Sequence, residues 1–387
     1  MINKMVKISE EKIKEILERG VEEVIVREHL ESALRSGKKL IVKFGIDPTS
    51  PDLHLGHMVP LRKLRQFQDA GHAIALIIGD FTATIGDPSG RSEERKPLST
   101  ADVKKNLKKY LSLAGKVLDT KKSKIFYNNT WFKKAGLEKI LELSHASSLQ
   151  QILKRADFQE RMSAGNDISM LELWYPLFQG YDSVMVKADI EIGGTDQKFN
   201  LLMGRRVQRH FGMKEQDIMT LSLIEGTDGT KKMSKSAGNY IALDAEPNDM
   251  YGKIMSVPDS LVKKYFFTLT DIAENKFVPL SVFERKKLLA RSIVSSLYSL
   301  REAENAEKKF FGKTEEKVEK EFKVLRGITW IDFLTENNFS TSRAEAKRLL
   351  AQGGVSLNGE KAKVSDAITK NGTAKIGKYK IVKVIVK

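Results

Sequence analysis

Two histidines, His54 and His57, stand three apart in "HLGH", shortly after an apolar run that ends at Asp47-Pro48. Side chains at i and i+3 meet on one helix face, so both rings can serve one ligand. A shared metal, a general base and an anion clamp all use such a pair. No HExxH-type pattern and no third ligand in an obvious register accompanies it, and no nucleophile is supplied for a base. The anion clamp fits best, because the pair sits where a strand turns into a helix and presents N-terminal amides. Gly56, lacking a side chain, lets a flat base or ribose lie against the backbone. A second cluster, "GTDGTKKMSKS", puts Lys232 and Lys235 three apart in a glycine-flanked loop. Such a double cation can close over a polyphosphate, although a lysine-rich loop is also what a solvated surface shows. A third set, Tyr175, Gln179 and Asp182, falls at i, i+4 and i+7, one face of a helix.

These groups need a scaffold. The spacing of Ile8, Ile13, Ile16 and Leu17 predicts a helix over 8–36. "KKLIVKFGID" reads as a strand, 55–70 as a helix, and "HAIALIIGDF" (72–81) as a strand buried on both faces. Strand, helix and strand in about 40 residues make a βαβ unit, and a Rossmann-like doubly wound parallel α/β sheet is expected. Eight lysines over 102–124 suit a solvated helix face. Residues 137–186 and 246–307 read as helical, "ADIEIGGTDQKFN" as strand, turn and helix start, 223–239 as a loop, and 308–323 as a linker. Near the end, Ser342 to Glu345 form a capping box, Gly353-Gly354 can end that helix, and Asn358-Gly359 is a favoured hairpin turn.

The expected division is 1–243 for N-terminal helices plus the catalytic α/β domain, with a helical insertion about 125–190. A helical domain at 244–310, a linker at 311–329 and a small α+β domain at 330–387 follow. With 387 residues, two or three domains are in proportion. Lys+Arg number 66 against 50 Asp+Glu, a net +16, and the last 58 residues hold 11 against 5. That excess points to a polyanion partner, with nucleic acid foremost. The absence of cysteine excludes disulfides, thiolate zinc sites and thiol catalysis. No run approaches 18 apolar residues, so a soluble, cytoplasmic protein is expected.

HLGH with KMSKS about 180 residues later resembles the signature pair of class I aminoacyl-tRNA synthetases. "GIDPTSPDLHLGH", "YPLFQGYDS" and "GGTDQKFNLLMGR" resemble the tyrosyl-tRNA synthetases, and "SRAEAKRLLAQGGVSLNGEK" resembles the S4 RNA-binding domain of their bacterial type. The likeness spans roughly 30–387. It implies attack of the tyrosine carboxylate on the α-phosphorus of ATP, then transfer to tRNA(Tyr). Mg2+ would arrive with ATP, with no protein-bound metal. It also implies a homodimer, with the insertion at the interface.

By the same resemblance, His54, His57, Lys232 and Lys235 would act on the phosphates, joined by Arg91 and Arg95. Gly56, Gly193, Gly194, Asp196, Met233, Ser234 and Ser236 would bind ATP. Gly45, Asp47, Asp87, Tyr175, Gln179, Asp182 and Gln197 would bind tyrosine, with Asp182 accepting from the phenol. Arg343, Lys347 and Arg348 would contact RNA. One position departs from the pattern. Lys43 stands where better-known members carry a tyrosine that also touches the substrate hydroxyl. The second partner of the phenol is thereby open, with Asp80 and Thr82 as candidates.

Overall fold

A computed structural model describes residues 6–48, 50–89, 100–312, 320–377 and 380–387. The chain forms two compact units, Met1–Phe310 and Phe311–Lys387.

The first unit is built on a six-stranded sheet: β1 Val21–Ile25, β2 Ile41–Ile46, β3 Ala73–Ile78, β4 Lys124–Tyr127, β5 Ile190–Gly194 and β6 Asp217–Leu221, in the order β1-β6-β5-β2-β3-β4. All neighbours are parallel except β1, which runs antiparallel to β6. The apolar runs of β3 and β6 are buried on both faces, as a parallel sheet demands. The chain leaves β2 to one side toward β3 and reaches β5 on the other. The crevice outside the carboxyl ends of β2 and β5 is therefore the topological switch point, where open α/β sheets bind ligands.

Helices α1 Glu10–Glu18, α2 Arg27–Arg35, α3 Leu55–Asp69 and α4 Thr100–Ala114 come before or between the first four strands. Between β4 and β5 lie α5 Asn129–Phe132, α6 Leu137–Ser144, α7 Leu149–Ile152, α8 Ala156–Ser163 and α9 Met170–Val186; α10 Lys198–His210 joins β5 to β6. After the sheet come α11 Pro247–Met255, α12 Asp259–Leu269, α13 Glu274–Phe277, α14 Val282–Leu297 and α15 Leu300–Phe311.

The structure departs from the sequence-based expectations at four places. The helix expected over 8–36 is α1 and α2 separated by the edge strand β1. The helical insertion contributes its first residues to β4. No break in packing occurs at 243/244: Tyr251, Tyr265, Ile293 and Val294 share one buried core with Val42, Leu61 and Ile190. The linker expected over 311–329 is shorter, because Lys320–Val324 is a strand of the second unit.

That unit has a five-stranded sheet of β7 Lys320–Val324, β8 Val355–Leu357, β9 Glu360–Lys361, β10 Gly372–Ile376 and β11 Lys380–Val386, in the order β7-β11-β10-β8-β9. Helices α16 Trp330–Glu336 and α17 Arg343–Ala351 complete it, around Trp330, Phe333, Val355, Ile368 and Val384. Asn358 and Gly359, both at positive φ, make the expected β8–β9 turn. Only half of the expected capping box forms. Ser342 caps α17, but Glu345 turns its carboxylate to the amide and hydroxyl of Thr341. No described helix is long and apolar enough to cross a membrane.

Candidate active site

A cavity of about 300 Å³ opens at the switch point. It is lined from β2 and its exit by Gly45 and Asp47, from α3 by Gly56 and His57 with His54 at its cap, and from α9 by Tyr175, Gln179 and Asp182. Gly193, Gly194, Asp196 and Gln197 after β5, Asp87 and Thr82 after β3, and Lys232 and Met233 of the lysine loop complete the ring.

The histidine pair is held by the backbone. His54 is the N-cap of α3; its Nδ1 accepts from the Gly56 amide at 3.2 Å, and His57 Nδ1 accepts from the His54 amide at 3.2 Å. An imidazole accepting at Nδ1 is the neutral tautomer with its proton on Nε2. Burial, the neighbouring ring and the Lys232 charge push His54 down to about 3. Burial and Lys232 push His57 to about 4. Both rings are thus neutral donors at physiological pH, not cations. Gly56 is required for a second reason: a Cβ there would lie 2.9 Å from the His54 ring, so the glycine makes room for the cap itself.

The lysine loop is tied to the same place. Leu55 N donates to Ile241 O and Leu243 N to Leu53 O, stitching the start of HLGH to the end of the loop. Met233 is fully buried and anchors the loop in the core. Lys232 Nζ pairs with Asp196 at 2.5 Å and Lys235 Nζ with Asp52 at 2.5 Å. Asn239, outside the quoted lysine motif, ties the loop together. Its amide donates to Lys231 O, Lys232 O and Asp228, and its oxygen accepts from Ser234 N. Lys235, Ser234 and Ser236 stand outside the cavity wall, unlike Lys232. Arg91 and Arg95 lie outside the described residues.

The α9 trio converges as expected. The Tyr175 hydroxyl donates to Asp47 at 2.9 Å, and the other Asp47 oxygen accepts from Thr82. Burial, then the Asp47 charge, holds the Tyr175 phenol well above its usual range. Gln197 Nε2 donates to Asp87 at 2.7 Å. Buried Asn200 donates to Asp87, Gln197 and Ser89 and is oriented by Arg155. Asp182 is 3% exposed, and burial raises its carboxyl to about 7 against the opposing pull of Lys43. It accepts from Trp131 Nε1 at 3.0 Å and Asn128 Nδ2 at 3.3 Å. Of the two candidate phenol partners, Thr82 lines the cavity, whereas Asp80 is engaged with the Asn129 amide. Asn128, Trp131 and Asn200 went unnoticed in the sequence; Asn200, one turn after Gln197, had the only local signal.

The arrangement is a carboxylate-rich pocket for a cationic, hydroxyl-bearing ligand, opening onto neutral donors and a lysine for an anion. A doubly wound sheet with its cavity at the switch point is the architecture of the nucleotide-binding α/β proteins. A family model described as tRNA synthetases class I (W and Y) matches residues 35–323, and an S4 domain model matches 332–372. A tyrosine–tRNA ligase of Dehalococcoides mccartyi is 46% identical, over 92% of this chain and 94% of that protein. One of Aquifex aeolicus is 44% identical, over 96% and 97%. The fold is shared with a C-terminally truncated mitochondrial tyrosyl-tRNA synthetase of Aspergillus nidulans, at TM-score 0.66 and 22% identity over 77% of this chain and 93% of that one. It is also shared with the tyrosyl-tRNA synthetase of Archaeoglobus fulgidus complexed with L-tyrosine, at TM-score 0.59 and 21% identity over 76% and 98%. The chain belongs to the class I tRNA synthetases of the W and Y family, alongside the tyrosine–tRNA ligases.

Proposed function

We propose that the chain activates L-tyrosine with ATP, giving tyrosyl-adenylate and pyrophosphate, and then transfers tyrosine to the 3′ end of tRNA(Tyr). The observation that carries this reading is the convergence of Tyr175, Gln179, Asp182 and Asp87 with His54, His57 and Lys232 on one cavity. A tyrosine would place its ammonium among Asp87, Tyr175 and Gln179, and its phenol O–H on Asp182. Its carboxylate oxygen attacks the α-phosphorus as the bond to the pyrophosphate oxygen breaks. No covalent bond to the protein is needed; rate comes from holding two anions together and stabilising the charge that develops. The Nε2–H groups of His54 and His57 and the ammoniums of Lys232 and Lys235 are the donors suited to that charge. Asp196 and the glycines at 193 and 194 suit the ribose. Mg2+ would enter as part of the substrate MgATP.

The exposed faces of Lys347 and Arg348 on α17 suit phosphates of the tRNA. Arg343 is exposed as well and rests on Asp332. A cytoplasmic homodimer is part of the proposal, supported by exposed Leu137, Leu141, Leu149, Met170 and Leu171 in the helical stretch before β5. Sedimentation as a monomer at micromolar concentration would contradict the dimer. ATP–pyrophosphate exchange tests the chemistry: it is expected with tyrosine and not with tryptophan, and tryptophan-dependent exchange would overturn the substrate assignment.

A further inference from the structure

We propose that Lys43 and Glu191 form a buried positioning unit that sets tyrosine selectivity through the placement of α9, with Lys43 itself outside the cavity. The inference rests on the tyrosine reading above.

Lys43 is 0% exposed and Glu191 1% exposed. Lys43 Nζ reaches three acceptors: Gln179 O at 2.8 Å, Ser183 Oγ at 2.7 Å and Glu191 Oε1 at 2.8 Å. An ammonium has three hydrogens, and these acceptors use all of them. Lys43 therefore has no donor left for a phenol. It does not line the cavity, whereas Gln179, Asp182 and Glu191 do. The residue that replaces the family's tyrosine has withdrawn from the pocket into its foundation.

Glu191 is as fully engaged. Oε1 also accepts from Gln179 Nε2 at 3.2 Å, and Oε2 accepts from Ser183 Oγ at 3.1 Å and from Gln216 Nε2. Gly204 of α10 allows this closeness; a Cβ there would stand 2.5 Å from Gln216 Nε2 and 3.0 Å from Glu191 Oε2. The network joins β2, α9, β5 and the approach to β6. Gln179 is gripped twice, by its carbonyl from Lys43 and by its amide from Glu191. Asp182 sits on the same turn, between Gln179 and Ser183, and so inherits the position of that turn.

A buried ion pair is a poor stabiliser, since desolvation offsets most of its attraction and an apolar pair of similar volume can do as well. Registry is its better-attested use, and here the element registered is the face of α9 that reads the amino acid.

Tyrosine-dependent ATP–pyrophosphate exchange and melting temperature are measured for the wild type, Lys43→Met, and the double variant Lys43→Met/Glu191→Gln, which leaves no unpaired charge. In Lys43→Met the KM for tyrosine is expected to rise about tenfold or more, as for loss of one charged hydrogen bond, and the preference for tyrosine over phenylalanine to fall. The KM for ATP and kcat at saturating tyrosine are expected to stay within about threefold, the split that marks lost ground-state binding. The double variant is expected to melt like the wild type yet keep the raised KM and weakened preference. A folded variant with wild-type KM and preference overturns the proposal, as does a loss of all parameters in step with the melting temperature. If Lys43→Met does not fold, the double variant decides on the same readouts. No exchange in the wild type with tyrosine would instead defeat the functional reading.

Discussion

His54 carries two loads that substitution can separate. Its Nδ1 caps α3 by accepting from the Gly56 amide, and its Nε2–H is the donor offered to phosphate. Asparagine is a strong N-cap residue, so in His54→Asn the side-chain oxygen keeps the cap, while its amide N–H2 is too short to reach where the ring Nε2–H stood. His54→Ala removes both. Losing the cap costs about 1 kcal/mol of stability, which lowers the melting temperature by a few degrees at most for a unit of about 300 residues. Losing a hydrogen bond to a charged group costs about 1.5–3 kcal/mol. At tenfold per 1.36 kcal/mol this slows activation by about 10- to 100-fold. Exchange kinetics and thermal unfolding of both variants supply the numbers. The expected result is that His54→Asn melts like the wild type but activates as slowly as His54→Ala. Wild-type exchange in His54→Asn would refute the donor role and leave His54 as a cap only.

Further outcomes follow from the charges. Burial raises Asp182 to about 7, and its carboxylate is a much stronger acceptor for the phenol O–H than its neutral acid. Tyrosine affinity, measured by calorimetry without ATP, should therefore weaken as pH falls below 7 and level off above it. The Asp182→Asn variant should show no such limb; a flat wild-type profile contradicts the assignment. Lys63, buried with its Nζ on Ile16 O, is lowered to about 7. Between that value and the usual 10.5 the unfolded chain binds the extra proton, so folded stability gains as pH rises across this window. The pH slope of the denaturation midpoint between 7 and 9.5 should be smaller in Lys63→Met, and equal slopes would exclude the effect. Replacing Lys347 and Arg348 by Ala should weaken tRNA binding and reduce its logarithmic salt slope by about 2, roughly 0.9 per phosphate contact. An unchanged slope would remove α17 from the RNA interface.

The elements with strong periodicity were legible from sequence: α3, β2, β3 and the β8–β9 turn all lie where apolar spacing and Asn358-Gly359 put them. β1 was not. Its "VEEVI" is an edge strand with charged residues facing out, and in sequence it continues the amphipathic pattern of α1. β4 has only four residues, and β6 carries Asp217 and Thr220 among its apolar residues, so neither shows a readable strand pattern. In the site, the motif residues after β2, β3 and β5 converge because those strands end at the switch point, while α9 and the loop after β6 supply the rest of the wall. Asn128 and Trp131 belong to no motif, Asn200 lies inside GGTDQKFNLLMGR with no role assigned to it, and their contacts bridge 54, 51 and 113 positions along the chain. Lys43 was legible only as an anomaly. Its partner Glu191 lies 148 positions away on β5, and only the β2–β5 pairing brings them together.

The reciprocal bonding of the two imidazoles has an entropic side. Each ring spends its Nδ1 on a backbone amide, so folding of α3, not arrival of a ligand, removes its rotational freedom. Ordering a side chain on binding costs about 0.5–1.5 kcal/mol each. Here that loss falls on the folding equilibrium, shared across the whole cooperative unit, and the Nε2–H donors face the cavity with little left to lose. The Lys232 and Lys235 side chains, exposed and held by Asp196 and Asp52, must instead exchange a carboxylate partner for the phosphate. One end of the site is ordered by its own backbone before any nucleotide is present, and the other gives up an ion pair to meet it.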